Sequence, residues 1–118
     1  MTPALGSLIL YTTKIDEMIA FYAIHFGYSA HRLNGDRTIE LRPPEGAVHL
    51  LLYPAAKGVR HGQAAVKLVF ACDDVEGFCT KAATRGLRFG KRHRADGYVF
   101  ANAKDPAGNS VSVSGRFA

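Results

Sequence analysis

Apolar residues along the first half of the chain change their spacing in a regular order. Gly6 to Tyr11 is a short, nearly continuous apolar run, which predicts a buried strand. Thr12 and Thr13 break the run, and either is a candidate cap for a following helix. Ile15, Met18, Ile19, Tyr22 and Phe26 then recur at three- and four-residue steps, one face of an amphipathic helix. Gly27 is its predicted stop. Tyr28 to Leu33 and Arg37 to Arg42 read as strands joined by a hairpin at Asn34-Gly35-Asp36, since Asn and Gly accept positive φ. Pro43-Pro44-Glu45-Gly46 predicts a second turn and Ala47 to Tyr53 a further strand. The order is βαβββ.

The same order returns. Pro54 to Gln63 carries Pro, Gly and scattered charge and reads as a linker. Val66 to Ala71 is a strand. Asp73 or Asp74 can cap the next helix, with Glu76 in its first turn suiting the helix dipole. Val75, Phe78, Cys79 and Ala82 form the apolar face, and Gly86 ends it. Leu87 to Arg94 and Tyr98 to Ala103 read as strands around an Asp96-Gly97 turn. Asp105-Pro106-Ala107-Gly108-Asn109 is a strong turn before the last strand, Ser110 to Ser114, because Pro presets φ and Gly and Asn tolerate the left-handed region. Setting Ser7 opposite Lys67 also sets Ile15 opposite Val75, so the halves repeat in pattern rather than in letters. The expectation is one α+β domain of two βαβββ modules, at about 6–53 and 65–114, with a linker at about 54–64.

Composition agrees with a folded domain. The chain has 118 residues, 47% of them hydrophobic, enough for a core without staples. Cys72 and Cys79 are too few for a disulfide framework and have no zinc spacing, so they read as small buried residues. Met1 to Gly6 lack a basic segment leading into a long apolar run, and no run approaches a membrane span. A cytoplasmic location and no membrane partner are expected. The formal net charge of +5 is concentrated partly in Arg85, Arg88, Lys91, Arg92, His93 and Arg94. A basic balance fits nucleic acid, an anionic membrane or an anionic ligand. No recognition motif for nucleic acid accompanies it, so a specific nucleic-acid role is not expected.

Three segments carry a family likeness. Ser7-Leu-Ile-Leu-Tyr-Thr-Thr-Lys-Ile-Asp-Glu-Met-Ile-Ala-Phe-Tyr22, followed by Phe26-Gly27, resembles the opening of the vicinal oxygen chelate superfamily, which includes glyoxalases, bleomycin resistance proteins and dioxygenases. Cys72-Asp73-Asp74-Val75 with Arg85-Gly86 resembles that family's second opening. Asp105-Pro106-Ala107-Gly108-Asn109 resembles its turn before the last strand. The resemblance implies two modules whose mixed sheets curl into a cup, commonly in a homodimer with a ligand site near the interface.

In metal-using members, one residue from each of four strands holds a divalent ion, usually His, Glu or Gln, and the ion acts as a Lewis acid. Carried onto this chain, the resemblance puts those positions at Ser7, at His49 or Leu50 depending on register, at Lys67 and at Ser112. An ammonium has donors and no lone pair, so Lys67 is a poor ligand and repels a cation. No metal or other cofactor is therefore expected. Ser7, His49, Lys67 and Ser112 become candidate contacts for a small organic ligand, with Lys67 favouring an anionic one and Arg92 or Arg94 as possible companions. The alternative is a lyase, isomerase or ring-cleaving dioxygenase of the same superfamily, with a divergent metal site or with Glu40, His49 and Lys67 in metal-free acid–base roles. His25, His31, His61 and His93 belong to no ligand motif, and the serines lack a nucleophile elbow.

Overall fold

The computed structural model describes every residue except Met1, Leu33, Asn34, Asp36, Val59 and His61. The chain divides into two compact units, residues 1–61 and 62–118. In the first, β1 (Ser7–Thr12) leads to α1 (Ile15–Phe26), then β2 (Ser29–Arg32), β3 (Ile39–Arg42) and β4 (His49–Pro54). The sheet order is β1-β4-β3-β2. β1 runs parallel to β4, and the other pairs are antiparallel. Alternation explains the layering. Ile39, Leu41, Leu50 and Leu52 are buried, as are Met18, Phe21 and Tyr22 of α1. Ser7, Ile9 and Tyr11 occupy the other face of β1 in register with His49, Leu51 and Tyr53.

The start of α1 differs from expectation. Its N-cap is Lys14, whose side chain makes no cap bond. Thr12 is buried, and its Oγ1 accepts the Lys14 N–H at 2.8 Å, so the threonine holds the approach to the helix rather than the helix end. Gly27 stops α1 as expected, with φ +71 and its N–H donated to Ala23 O. The predicted Asn34-Gly35-Asp36 hairpin falls largely outside the described residues, as do Leu33 and His61.

The second unit repeats the plan. It comprises β5 (Lys67–Ala71), α2 (Val75–Thr84), β6 (His93–Ala95), β7 (Tyr98–Lys104) and β8 (Ser110–Ser114), with sheet order β5-β8-β7-β6. β5 and β8 are parallel, and β8 pairs antiparallel with β7. Leu68, Ala101, Val111 and Val113 are buried with Val75, Cys79 and Ala82 of α2. Asp74, not Asp73, caps α2, accepting the Gly77 N–H at 2.9 Å. Ser7 and Lys67 open corresponding strands, and Ile15 and Val75 open the helices.

One expected strand is much shorter. Of Leu87 to Arg94, only His93 and Arg94 join β6. Phe89 packs edge-on against Phe78 of α2, with ring centroids 6.0 Å apart, and Arg92 reaches Glu76 and the Gly90 carbonyl. The segment still touches β7 through one backbone bond, from the Gly90 N–H to Asn102 O at 2.8 Å, but the regular ladder begins only at His93. Among the described residues, no helix is long and apolar enough to cross a membrane.

Candidate functional site

A cavity of about 450 Å³ lies over one face of β5, β8 and β7. Period-2 alternation puts Lys67, Val69 and Ala71 of β5 on that face, beside Ser112 and Ser114 of β8 and Tyr98 and Phe100 of β7. Arg116 and Phe117, just past β8, complete the lining. The odd-numbered residues of β8 turn the other way, where Val111 and Val113 are buried.

Lys67 stands at one end of this face. Its Nζ donates to Asn102 Oδ1 at 3.0 Å, and Asn102 is the register partner of Ser112. The cation therefore has a neutral partner that positions it, and among the described residues no carboxylate pairs with it. Ser112 is 2% exposed, and its Oγ donates to Ala101 O at 2.9 Å. Its proton is spent inside the sheet, so only an oxygen lone pair remains for a ligand.

Ser7 and His49 lie in the other unit, as register partners on β1 and β4. His49 shares the Ser7 face, and Leu50 is buried on the opposite one. The repeat adds a position that the sequence reading did not name. Ser112 pairs with Val69, two residues into β5, and Leu51 pairs with Ile9, two residues into β1. Leu51 is thus the counterpart of Ser112 and has no lone pair. The pattern of letters hides this, because His49-Leu50-Leu51-Leu52 offers no alternation to read.

The donor set at these positions does not fit a divalent ion. Ser7, Leu51, Lys67 and Ser112 supply two hydroxyls, one of them already donating, a hydrocarbon and an ammonium. Among the described residues, no group of three or more His, Cys, Asp and Glu side chains is placed to hold a metal ion.

Glu40 sits on the His49 face of β3, opposite His31 on β2. The Arg42 Nε donates to its Oε1 at 2.7 Å, and that bond, opposed by partial burial and aided by the charges of Arg42, His49 and His31, holds the carboxyl below its ordinary value. A depressed carboxylate stabilises the fold above its unfolded pKa and loses that contribution as pH falls through the folded one. Arg42→Gln is expected to move the Glu40 titration upward, read by NMR of the carboxyl carbon. An unchanged midpoint would assign the depression to the histidines instead.

The basic run divides differently from expectation. Arg92 is paired with Glu76 at 2.9 Å, and Arg94 pairs with Val99 in register, on the face away from Phe100. Neither joins Lys67. Both line a separate hollow of about 520 Å³ together with Asp73, Asp74 and Glu76, where cations and carboxylates are mixed. Among the described residues, the Lys67 cavity has no carboxylate in its lining, and its second cation is Arg116. Sequence pattern gave no sign of Arg116, which follows the last strand outside any periodic run. Both thiols are free and are pushed up first by burial, so they are poor nucleophiles.

Residues 4–113 match the Glyoxalase/Bleomycin resistance protein/Dioxygenase superfamily. Uncharacterized protein YetH of Bacillus subtilis (strain 168) is 25% identical over 114 residues, covering 92% of this chain and 95% of that protein. Lactoylglutathione lyase from Agrobacterium tumefaciens superposes with a TM-score of 0.73 at 26% identity, covering 97% of this chain and 94% of that one. TnmS3, an antibiotic binding protein from Streptomyces sp. CB03234, superposes with a TM-score of 0.77 at 17% identity, covering 95% and 94%. The family match spans both units, including the two strand–helix openings and the Asp105–Asn109 turn. The chain belongs to the Glyoxalase/Bleomycin resistance protein/Dioxygenase superfamily.

Proposed function

We propose that this chain is a small-molecule-binding protein that takes an anionic or polar organic ligand in the Lys67 cavity, without the superfamily's usual metal site. The observation that carries this is the cavity's charge. Lys67 faces it with a neutral hydrogen-bond partner, and among the described residues no carboxylate stands in the lining. Apolar walls with a few polar groups are the ordinary make-up of a ligand pocket, and about 450 Å³ suits a small organic molecule. The likeness to an antibiotic-binding protein supports the binding of a small organic molecule. Ser112 lends an acceptor at the floor. Ser7 and His49 remain proposed contacts on the face of residues 1–61. Ile9 and Tyr11 on that face are exposed apolar side chains, which supports a homodimer as the working assembly. The proposed setting is the cytoplasm.

Titration of benzoate, hexanoate and glutarate, followed by amide NMR shifts, tests the reading. Shifts are expected at Lys67, Val69 and Asn102, with roughly tenfold weaker binding in Lys67→Gln, about the loss of one charge-assisted hydrogen bond. If none of the anions perturbs these amides, or if Lys67→Gln binds them equally well, the proposal fails.

A further inference from the structure

We propose that the ligand of this cavity is a flat aromatic molecule with an anionic group at each end, one held by Lys67 and the other by Arg116. This rests on the reading of the cavity as a small-molecule site and narrows the class of ligand.

Arg116 carries the inference. Its guanidinium carbon lies 5.7 Å from the Tyr98 ring centroid and 5.4 Å from that of Phe117. Its backbone N–H donates to Ser114 Oγ at 3.2 Å. Among the described residues, no carboxylate lies within ion-pair distance of it. A guanidinium laid against ring faces keeps its edge donors in their own plane, where a carboxylate can accept two of them in parallel. The guanidinium lies over both rings, and its planar fork is pre-organised, so less freedom is lost when the anion arrives.

The wall beside it is aromatic. Tyr98 and Phe100 have centroids 6.2 Å apart, tilted by 36°. His93 stacks on Phe100 at 4.9 Å and 18°. This ledge offers ring faces and edges to a planar ligand, which gains from offset or edge contacts beyond the area it buries. An aliphatic chain gains only the area. Val69 and Ala71 close the floor with small apolar side chains that leave room for a flat body.

The spacing of the two cations sets the length. The Lys67–Ser110 and Ala71–Ser114 register pairs are four residues apart along parallel strands. That is roughly 13 Å at the usual strand rise. Arg116 enters from beyond the Ser114 end. A single carboxylate cannot bridge the two cations, whereas a two-ring body with a carboxylate at each end matches the span after allowing for side-chain reach.

The test compares naphthalene-2,6-dicarboxylate, 2-naphthoate and octanedioate by calorimetry, on wild-type protein, Arg116→Gln and Lys67→Gln. Naphthalene-2,6-dicarboxylate is expected to bind at least tenfold tighter than either of the others. Arg116→Gln should erase its advantage over 2-naphthoate, and the amide spectrum should confirm that this exposed substitution leaves the fold intact. Equal binding of octanedioate would overturn the aromatic requirement. Undiminished binding of the dicarboxylate to Arg116→Gln would overturn the role of Arg116. Either result, with Lys67→Gln still weakening every probe, would leave the broader binding reading standing. Failure of all three probes to bind wild-type protein would overturn both.

Discussion

Tyr22→Ala is expected to lower the unfolding free energy by about 4 kcal/mol, the usual range for deleting a large aromatic side chain from a core. Tyr22 is fully buried and is the largest such side chain described. Its ring meets Phe21 edge-on at 4.9 Å and Tyr28 edge-on at 6.1 Å, and lies 6.1 Å from Phe26. Its carbonyl also accepts the Tyr28 N–H at 3.1 Å, tying the helix end to the start of the next strand. Truncation would leave a void lined by rings, which relax poorly because each is held by the others. Urea denaturation should show the midpoint falling sharply. Ile24→Ala, on the same helix but 49% exposed, should change stability by less than about 0.5 kcal/mol. Equal effects at the two positions would mean that α1 contributes through propensity rather than through its buried face.

The contrast between Tyr22 and Ile24 shows why α1 was legible. Five apolar residues at helical spacing, closed by Gly27, admit one reading, and the helix runs from Ile15 to Phe26. The repeat was legible for a related reason. Two openings of the same length lead to two helices at the same offset, so one alignment aligns the other. β4 was harder. A run of consecutive leucines buries either face equally well on paper, and only the pairing with β1 and β3 decides that Leu50 and Leu52 turn inward to the core and His49 and Leu51 turn away. Leu87 to Arg92 misled through the opposite fault. Leu87-Arg88-Phe89 alternates as a half-buried strand does, but Phe89 packs on α2, Arg92 pairs with Glu76, and the segment meets β7 through the Gly90 N–H rather than through a regular ladder.

The candidate site was legible only where it coincided with a strand opening. Lys67 was found because it stands at a position defined by the repeat and carries the wrong chemistry for a metal ligand. Its partner Asn102 lies thirty-five residues away in sequence, and nothing local marks the two as neighbours. The densest basic run points to Arg92 or Arg94 as the companion cation. Density of charge is a poor guide, because Arg92 is neutralised by Glu76 and Arg94 points off the cavity face. The second cation of the cavity is instead Arg116, a solitary arginine after the last strand.

Asp105→Ala is expected to cost about 3 kcal/mol, from the loss of several hydrogen bonds to one buried carboxylate. The side chain organises the β7–β8 turn. Its Oδ1 accepts the N–H groups of Ala107 at 3.0 Å and Asn109 at 2.9 Å, and its Oδ2 accepts the Asn109 side-chain amide at 2.9 Å. Asp105 is 4% exposed, so the donors left behind would be poorly reached by water. Gly108 turns the chain at φ +87, and its N–H donates to the Asp105 carbonyl at 2.9 Å. Backbone geometry therefore supports the turn without the carboxylate, but it cannot satisfy the same donors. Asp105→Asn separates the two contributions. An amide oxygen can still accept from Ala107 and Asn109, whereas its NH₂ would face the Asn109 amide as donor against donor, for a smaller loss of about 1 kcal/mol. Urea midpoints should rank wild type above Asp105→Asn and Asp105→Ala lowest. Hydrogen exchange should quicken in β8, which lies between β5 and β7 and carries Ser112 on the cavity floor. Because this turn sets where β8 begins, looser pairing there should also weaken anion binding at Lys67, although Asp105 is not among the residues that line the cavity. A variant that lost stability but bound benzoate as wild type does would show that the cavity is shaped by β5 and β7 without help from the turn.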